Sequence, residues 1–97
     1  MIVRILGEGQ FRVSDEAAAK LTVLDKDLDA AVGAADEATF ALALDTAVKL
    51  VRAAGVPVDD DEFVTADYIL PFSDATVEEV RKLLADGTIG GDSIGLP

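Results

Sequence analysis

Met1-Ile2-Val3-Arg4-Ile5-Leu6-Gly7-Glu8-Gly9-Gln10-Phe11 is the stretch on which the reading of this chain turns. Ile2 to Leu6 is apolar and largely β-branched, which is a strand pattern. Gly7-Glu8-Gly9 follows as a turn, and Gln10 to Val13 then alternates polar and apolar residues. Three-residue loops with glycine in the left-handed position are a common hairpin device. A loop over Gly7–Gly9 sets Leu6 opposite Gln10, Ile5 opposite Phe11 and Arg4 opposite Arg12. Val3, Ile5, Phe11 and Val13 then share one face, fit to pack on helices. Ile2, Arg4, Leu6, Gln10 and Arg12 share the other.

Downstream of the hairpin the period changes from two to about 3.6. Ser14 is a good N-cap, with Asp15 and Glu16 at the positive end of the helix dipole. Ala17, Leu21, Leu24, Leu28 and Ala31 form one stripe on a helix over about 15–32, ended by Gly33. Asp36 caps a second helix whose buried face is Phe40, Leu44, Ala47, Val48 and Val51. Gly55 and Pro57 end it. The short Gly33-Ala34-Ala35 connection makes the two helices an antiparallel hairpin.

Val58 to Glu62 reads as an acidic loop, its Asp59–Glu62 run solvated. Tyr68-Ile69-Leu70 reads as a short edge strand stopped by Pro71. Thr76-Val77-Glu78-Glu79 matches a capping box. It opens a short third helix to about Ala85, with Val77, Val80, Leu83 and Leu84 buried. The fold class is α+β: an N-terminal β-hairpin packed on an antiparallel two-helix hairpin, then a short edge strand and a short third helix. Residues 1–87 form one domain, and the glycine-rich 88–97 a flexible tail.

The 97 residues suffice for one modest core. Half are apolar, so the chain is not of the disordered class. Aromatics are few, at Phe11, Phe40, Phe63, Tyr68 and Phe72. Histidine and cysteine are absent, which removes imidazole bases, thiol nucleophiles, disulfides and the usual zinc ligands. The net charge of −11 opposes direct binding to nucleic acid or to an anionic membrane surface. No apolar run approaches the roughly 20 residues of a transmembrane helix, and no signal-peptide pattern opens the chain. The expected location is the cytoplasm.

Candidate sites are correspondingly thin. Asp59-Asp60-Asp61-Glu62 lacks the alternating spacing and central glycine of a calcium loop. Gly90-Gly91-Asp92-Ser93-Ile94-Gly95 looks superficially like a hydrolase nucleophile block, but no histidine base exists. Gly7-Glu8-Gly9 continues into no phosphate-loop pattern. Asp25/Asp29 and Glu78/Glu79 read as solvated helix faces and are given no role. No catalytic, cofactor or metal residue is assigned. Arg4 and Arg12 stand out among eight basic residues. Either they form internal ion pairs, for instance with the acidic loop, or they make a small basic spot beside Ile2 and Leu6 for an acidic partner. The exposed edge at Tyr68, Ile69 and Leu70 is the second candidate contact, open to a partner strand or to a second copy in a homodimer.

The opening Met1 to Phe11, the Ser14-Asp15-Glu16 start of an Ala/Leu helix and Gly55-Val56-Pro57 together resemble the PspA-associated protein family, PspAA. Asp67-Tyr68-Ile69-Leu70-Pro71 followed by Asp74-Ala75-Thr76-Val77-Glu78-Glu79-Val80 carries the same resemblance, which spans about residues 1–86. It implies a cytoplasmic accessory or regulator of the phage-shock, or envelope-stress, response. The implied partner is PspA, a coiled-coil, membrane-remodelling protein, which would recruit the chain to the inner face of the cell membrane. It implies no catalytic residues. The alternative is a small-molecule-sensing domain with a pocket between helices and sheet. An enzyme using only carboxylates ranks below both, because no motif pairs its acids.

Overall fold

A computed structural model describes residues 1–59 and 61–85. The chain runs β1 (Ile2–Ile5), β2 (Gly9–Arg12), α1 (Asp15–Ala34), α2 (Glu37–Ala54), β3 (Val56–Pro57), β4 (Tyr68–Leu70) and α3 (Val77–Ala85). The α+β architecture is the expected one. The expected tail and the Gly90–Gly95 stretch lie outside the described residues.

The four strands form one sheet in the order β3-β2-β1-β4. β1 is antiparallel to β2 and parallel to β4. The return from β1 to a parallel neighbour requires a long crossover, and the α1–α2 hairpin supplies it. Because β4 occupies an end of the sheet, Tyr68–Leu70 is an edge strand, as its proline suggested.

The hairpin register differs from expectation by one pleat repeat. Ile5 faces Gly9, Arg4 faces Gln10, Val3 faces Phe11 and Ile2 faces Arg12. The turn closes earlier than the glycines alone suggest, because the Glu8 N–H donates to the Ile5 carbonyl at 2.9 Å. Gly7 and Gly9 take φ of 86° and 108°, and Gly9 enters the strand. A displacement by two residues keeps every side chain on its face. Val3, Ile5 and Val13 are therefore buried as expected, but Arg4 and Arg12 are diagonal rather than opposed. Arg52, at the end of α2, ties the turn down by donating to Glu8 from Nε at 2.7 Å, which holds the Glu8 carboxyl below its usual range.

Local capping sets the helix ends. The Ala17 N–H donates to Ser14 Oγ at 3.2 Å, and the Thr39 N–H to Asp36 Oδ1 at 3.1 Å. At α3 the Glu79 N–H donates to Thr76 Oγ1 at 3.2 Å, the forward half of a capping box. α1 runs through Gly33 to Ala34, beyond the expected stop. Ala35 makes the turn instead, at φ 54°, and the Asp36 N–H reaches the Ala31 carbonyl at 2.9 Å in the manner of a Schellman end. This geometry closes off the orphan carbonyls, which glycine in mid-helix cannot do.

One continuous core joins the inner sheet face (Val3, Ile5, Tyr68, Leu70) to α1, α2 and α3. Leu21, Phe40, Leu44 and Val48 fill its centre. In α3 Val77 and Val80 are buried, but Leu84 is exposed, contrary to expectation.

β3 had no sequence signal. It is two residues long, and Arg12 faces Val56 while Phe11 faces Pro57. Gly55 makes this return tight. Its φ of −89° is open to any residue, but a Cβ there would sit 2.5 Å from the Val51 carbonyl oxygen and 2.9 Å from Phe11 Cβ. The glycine is thus required by close approach. Gly55→Ala is expected to lower stability by about 1–3 kcal/mol through overpacking. Urea denaturation will show the loss, and an unchanged midpoint would mean that α2 and β2 separate freely.

Candidate functional site

The outer sheet face carries Arg4 and Arg12, but they do different work. Arg12 forms an ion pair with Glu62, so the acidic loop folds back on the hairpin. Both side chains are about half exposed, which limits the pair to roughly 0–1 kcal/mol. The loop is held at both ends: the Val58 N–H donates to the Gln10 carbonyl at 2.9 Å, and the Asp67 N–H to the Ile2 carbonyl at 2.8 Å. Arg4 is exposed and makes no ion pair among the described residues. It lines a shallow groove with Asp59, Glu62 and Phe63. The two-arginine basic spot is therefore reduced to Arg4, and the internal ion-pair reading applies to Arg12.

The other candidate residues, Tyr68, Ile69 and Leu70, sit together on β4 but present different groups. The side chains of Tyr68 and Leu70 are buried. They are core residues, so the side chains of these two are not available to a partner at the expected edge contact. Ile69 is partly buried on the opposite face. What β4 offers is backbone. The Leu70 carbonyl accepts from the Leu6 N–H at 3.1 Å, so it points toward β1. Successive residues of a strand direct their amide groups to opposite sides, and Ile69 therefore turns its N–H and C=O outward. Among the described residues no strand pairs with that side.

Beneath this edge the structure corrects the expectation of a solvated face at Asp25/Asp29: Asp29 is exposed, but Asp25 is buried. Asp25, on α1, is only 5% exposed and is the sole charged residue in the core of the described chain. The Tyr68 hydroxyl donates to its Oδ1. Its Oδ2 is buried without a hydrogen-bond partner among the described residues. Burial pushes the Asp25 carboxyl above its usual range. The Tyr68 hydrogen bond opposes that rise, and the nearby Asp29 carboxylate adds to it. Burial, followed by the hydrogen bond to Asp25, pushes the Tyr68 hydroxyl well above its usual range.

Asp25 and Tyr68 line a cleft of about 40 Å³ between α1, α3 and the β4 edge. Asp29, one turn beyond Asp25, also borders it, and Leu28, Phe40 and Val80 give apolar walls. A site needs about 10–15 Å³ to hold one water, so this cleft admits only two or three water-sized groups. It is far below the roughly 300–1,000 Å³ of a small-molecule pocket. A signal for Asp25 did exist: it stands four residues after Leu21 and three before Leu28, within the apolar stripe rather than beside it. A carboxylate on a buried stripe requires a partner, and Tyr68 is the only tyrosine in the chain.

Among the described residues no three acidic side chains gather in a metal-binding group. No described helix is long and apolar enough to cross a membrane.

No curated protein and no solved structure matches the chain significantly. The family model described as PspA-Associated protein, PspAA, matches residues 1–91, which takes in the hairpin, both long helices, the β4 edge and α3. The chain accordingly belongs to the PspA-associated protein family.

Proposed function

We propose that this protein is a non-enzymatic accessory or regulator of the PspA envelope-stress system and works by protein–protein contact along the free edge of β4. Family membership associates it with PspA. The observation that carries the contact is the outward amide of Ile69 on an edge strand whose neighbours are locked in the core. An extended segment of the partner adds there as a further strand, with main-chain hydrogen bonds giving affinity. The acidic surface keeps the chain off anionic lipid, so it reaches the inner face of the membrane through a PspA-like coiled-coil protein. A second copy of the chain competes for the same edge.

The test is calorimetric titration of the purified chain into its host's PspA, with light scattering of the chain alone as the reading of self-association. Binding is expected. Ile69→Pro deletes the outward N–H without touching the ladder to β1 and is expected to weaken binding about tenfold. Arg4→Glu is expected to alter chiefly the on-rate and the salt dependence. Full affinity in a folded Ile69→Pro variant, with loss in Arg4→Glu, would move the contact to the hairpin face.

A further inference from the structure

We propose that the Asp25–Asp29 cleft is a socket for a lysine side chain carried by the segment that docks on β4. The inference rests on the partner-binding reading and adds the chemistry by which the partner is recognised. Three observations carry it. Asp25 is 95% buried, by its 5% exposure, and keeps Oδ2 without a partner among the described residues, in a cleft beside the free strand edge. Asp29, which is exposed, brings a second carboxylate to the rim of the same cleft, and the burial of Asp25 beside apolar walls makes a cation the complementary guest. An ammonium is water-sized and fits about 40 Å³, whereas a guanidinium is broader and planar.

The walls suit the rest of the guest. Leu28, Val32 and Leu84 flank the cleft and match the methylene stem of lysine, whose charged head alone needs polar contact. Among the described residues no lysine or arginine lines the cleft, and the exposed Lys26 and Arg4 stand outside it. Lys20, Lys49 and Lys82 are paired along their own helices with Glu16, Asp45 and Glu78. Arg12 and Arg52 pair with Glu62 and Glu8, and Arg81 donates to the Val32 carbonyl at 2.7 Å. Residues 86–97 contain neither lysine nor arginine. A partner that adds along β4 sends alternate side chains toward this face, so strand addition and the socket act on one segment.

The experiment has two arms. In the first, n-butylammonium chloride, the lysine side-chain analogue, is titrated at millimolar concentration with n-butanol as the uncharged control, read by carbon–proton NMR. The ammonium is expected to move the Tyr68 ring and the Leu28 and Val80 methyls saturably, and the Asp25→Asn/Asp29→Asn double variant to abolish the response. Equal responses to butanol, or a response that survives in the double variant, would overturn the socket. In the second arm the double variant is titrated into PspA at low salt, and a loss of at least about thirtyfold is expected for a desolvated charge pair broken on one side. Unchanged PspA binding by the double variant, with loss in Ile69→Pro, would overturn the socket and leave the strand edge standing. Saturable butylammonium binding by a chain that ignores PspA would uphold the cation site and remove the PspA reading.

Discussion

Phe40→Ala is expected to cost about 3–5 kcal/mol, the range for deleting a buried phenyl ring. Phe40 lies near the start of α2, is 1% exposed, and sits in the centre of the core shared by sheet and helices. A domain of this length holds only roughly 5–15 kcal/mol in all, so one truncation removes a large share of it. The ring also walls the Asp25 cleft, and its loss enlarges a space that is now about 40 Å³. Phe63→Ala is the matched control, because Phe63 is fully exposed and its loss is expected to stay within about 0.5 kcal/mol. Urea denaturation of both variants checks the pair. A Phe40→Ala loss under about 1 kcal/mol would mean that the core does not close around this residue.

Tyr68→Phe is expected to cost about 1–3 kcal/mol at neutral pH while preserving the packing of the ring. The hydroxyl is the only hydrogen-bond donor to Asp25 among the described residues, so its removal leaves a buried carboxyl unsatisfied. The sign of the pH dependence follows from linkage. The folded carboxyl titrates above its unfolded value of about 3.9, so its stabilising contribution is greatest below that value. It declines as the pH rises from there to the folded value, and is then flat. In Tyr68→Phe the opposing hydrogen bond is gone, and the folded value rises further. The gap between wild type and variant is therefore constant at low pH and widens above the wild-type folded value. Asp25→Asn, which can still accept from Tyr68, is expected to abolish the decline altogether. Stability measured by urea denaturation across the acidic and neutral range reads all three chains. A gap that narrows with rising pH would contradict the assignment of Asp25 as the titrating group.

The raised Asp25 carboxyl and the proposed socket are two sides of one arrangement. Burial makes the empty carboxylate costly, and a cation beside it lowers that cost. A partner lysine would then bind with release of a proton wherever Asp25 is still protonated in the free chain.

Much of the fold was legible because it is local. Ser14, Asp36 and Thr76 cap helices through amides only three residues away, and such signals survive in any tertiary setting. The faces of the hairpin followed from its alternation even though the register did not, since a two-residue displacement preserves side-chain orientation. β3 was invisible because two residues carry no period, and it exists only through pairing with Phe11 and Arg12. The edge position of β4 was readable from Pro71, but the burial of Tyr68 and Leu70 was not. That burial depends on which face α1 and α2 cover.

By itself the sequence determined the element types, most helix ends, the edge strand and the resemblance to the PspA-associated family, because periodicity, capping and turn chemistry act over a few residues. The tertiary structure alone decided the rest. Arg12 is claimed by Glu62, fifty residues away, Ile69 rather than its neighbours offers an outward amide, and Asp25 meets Tyr68 across forty-three residues. Contacts at such separations are set by how the helix hairpin packs on the sheet, and that packing also turned an acid on an apolar stripe into the centre of the candidate site.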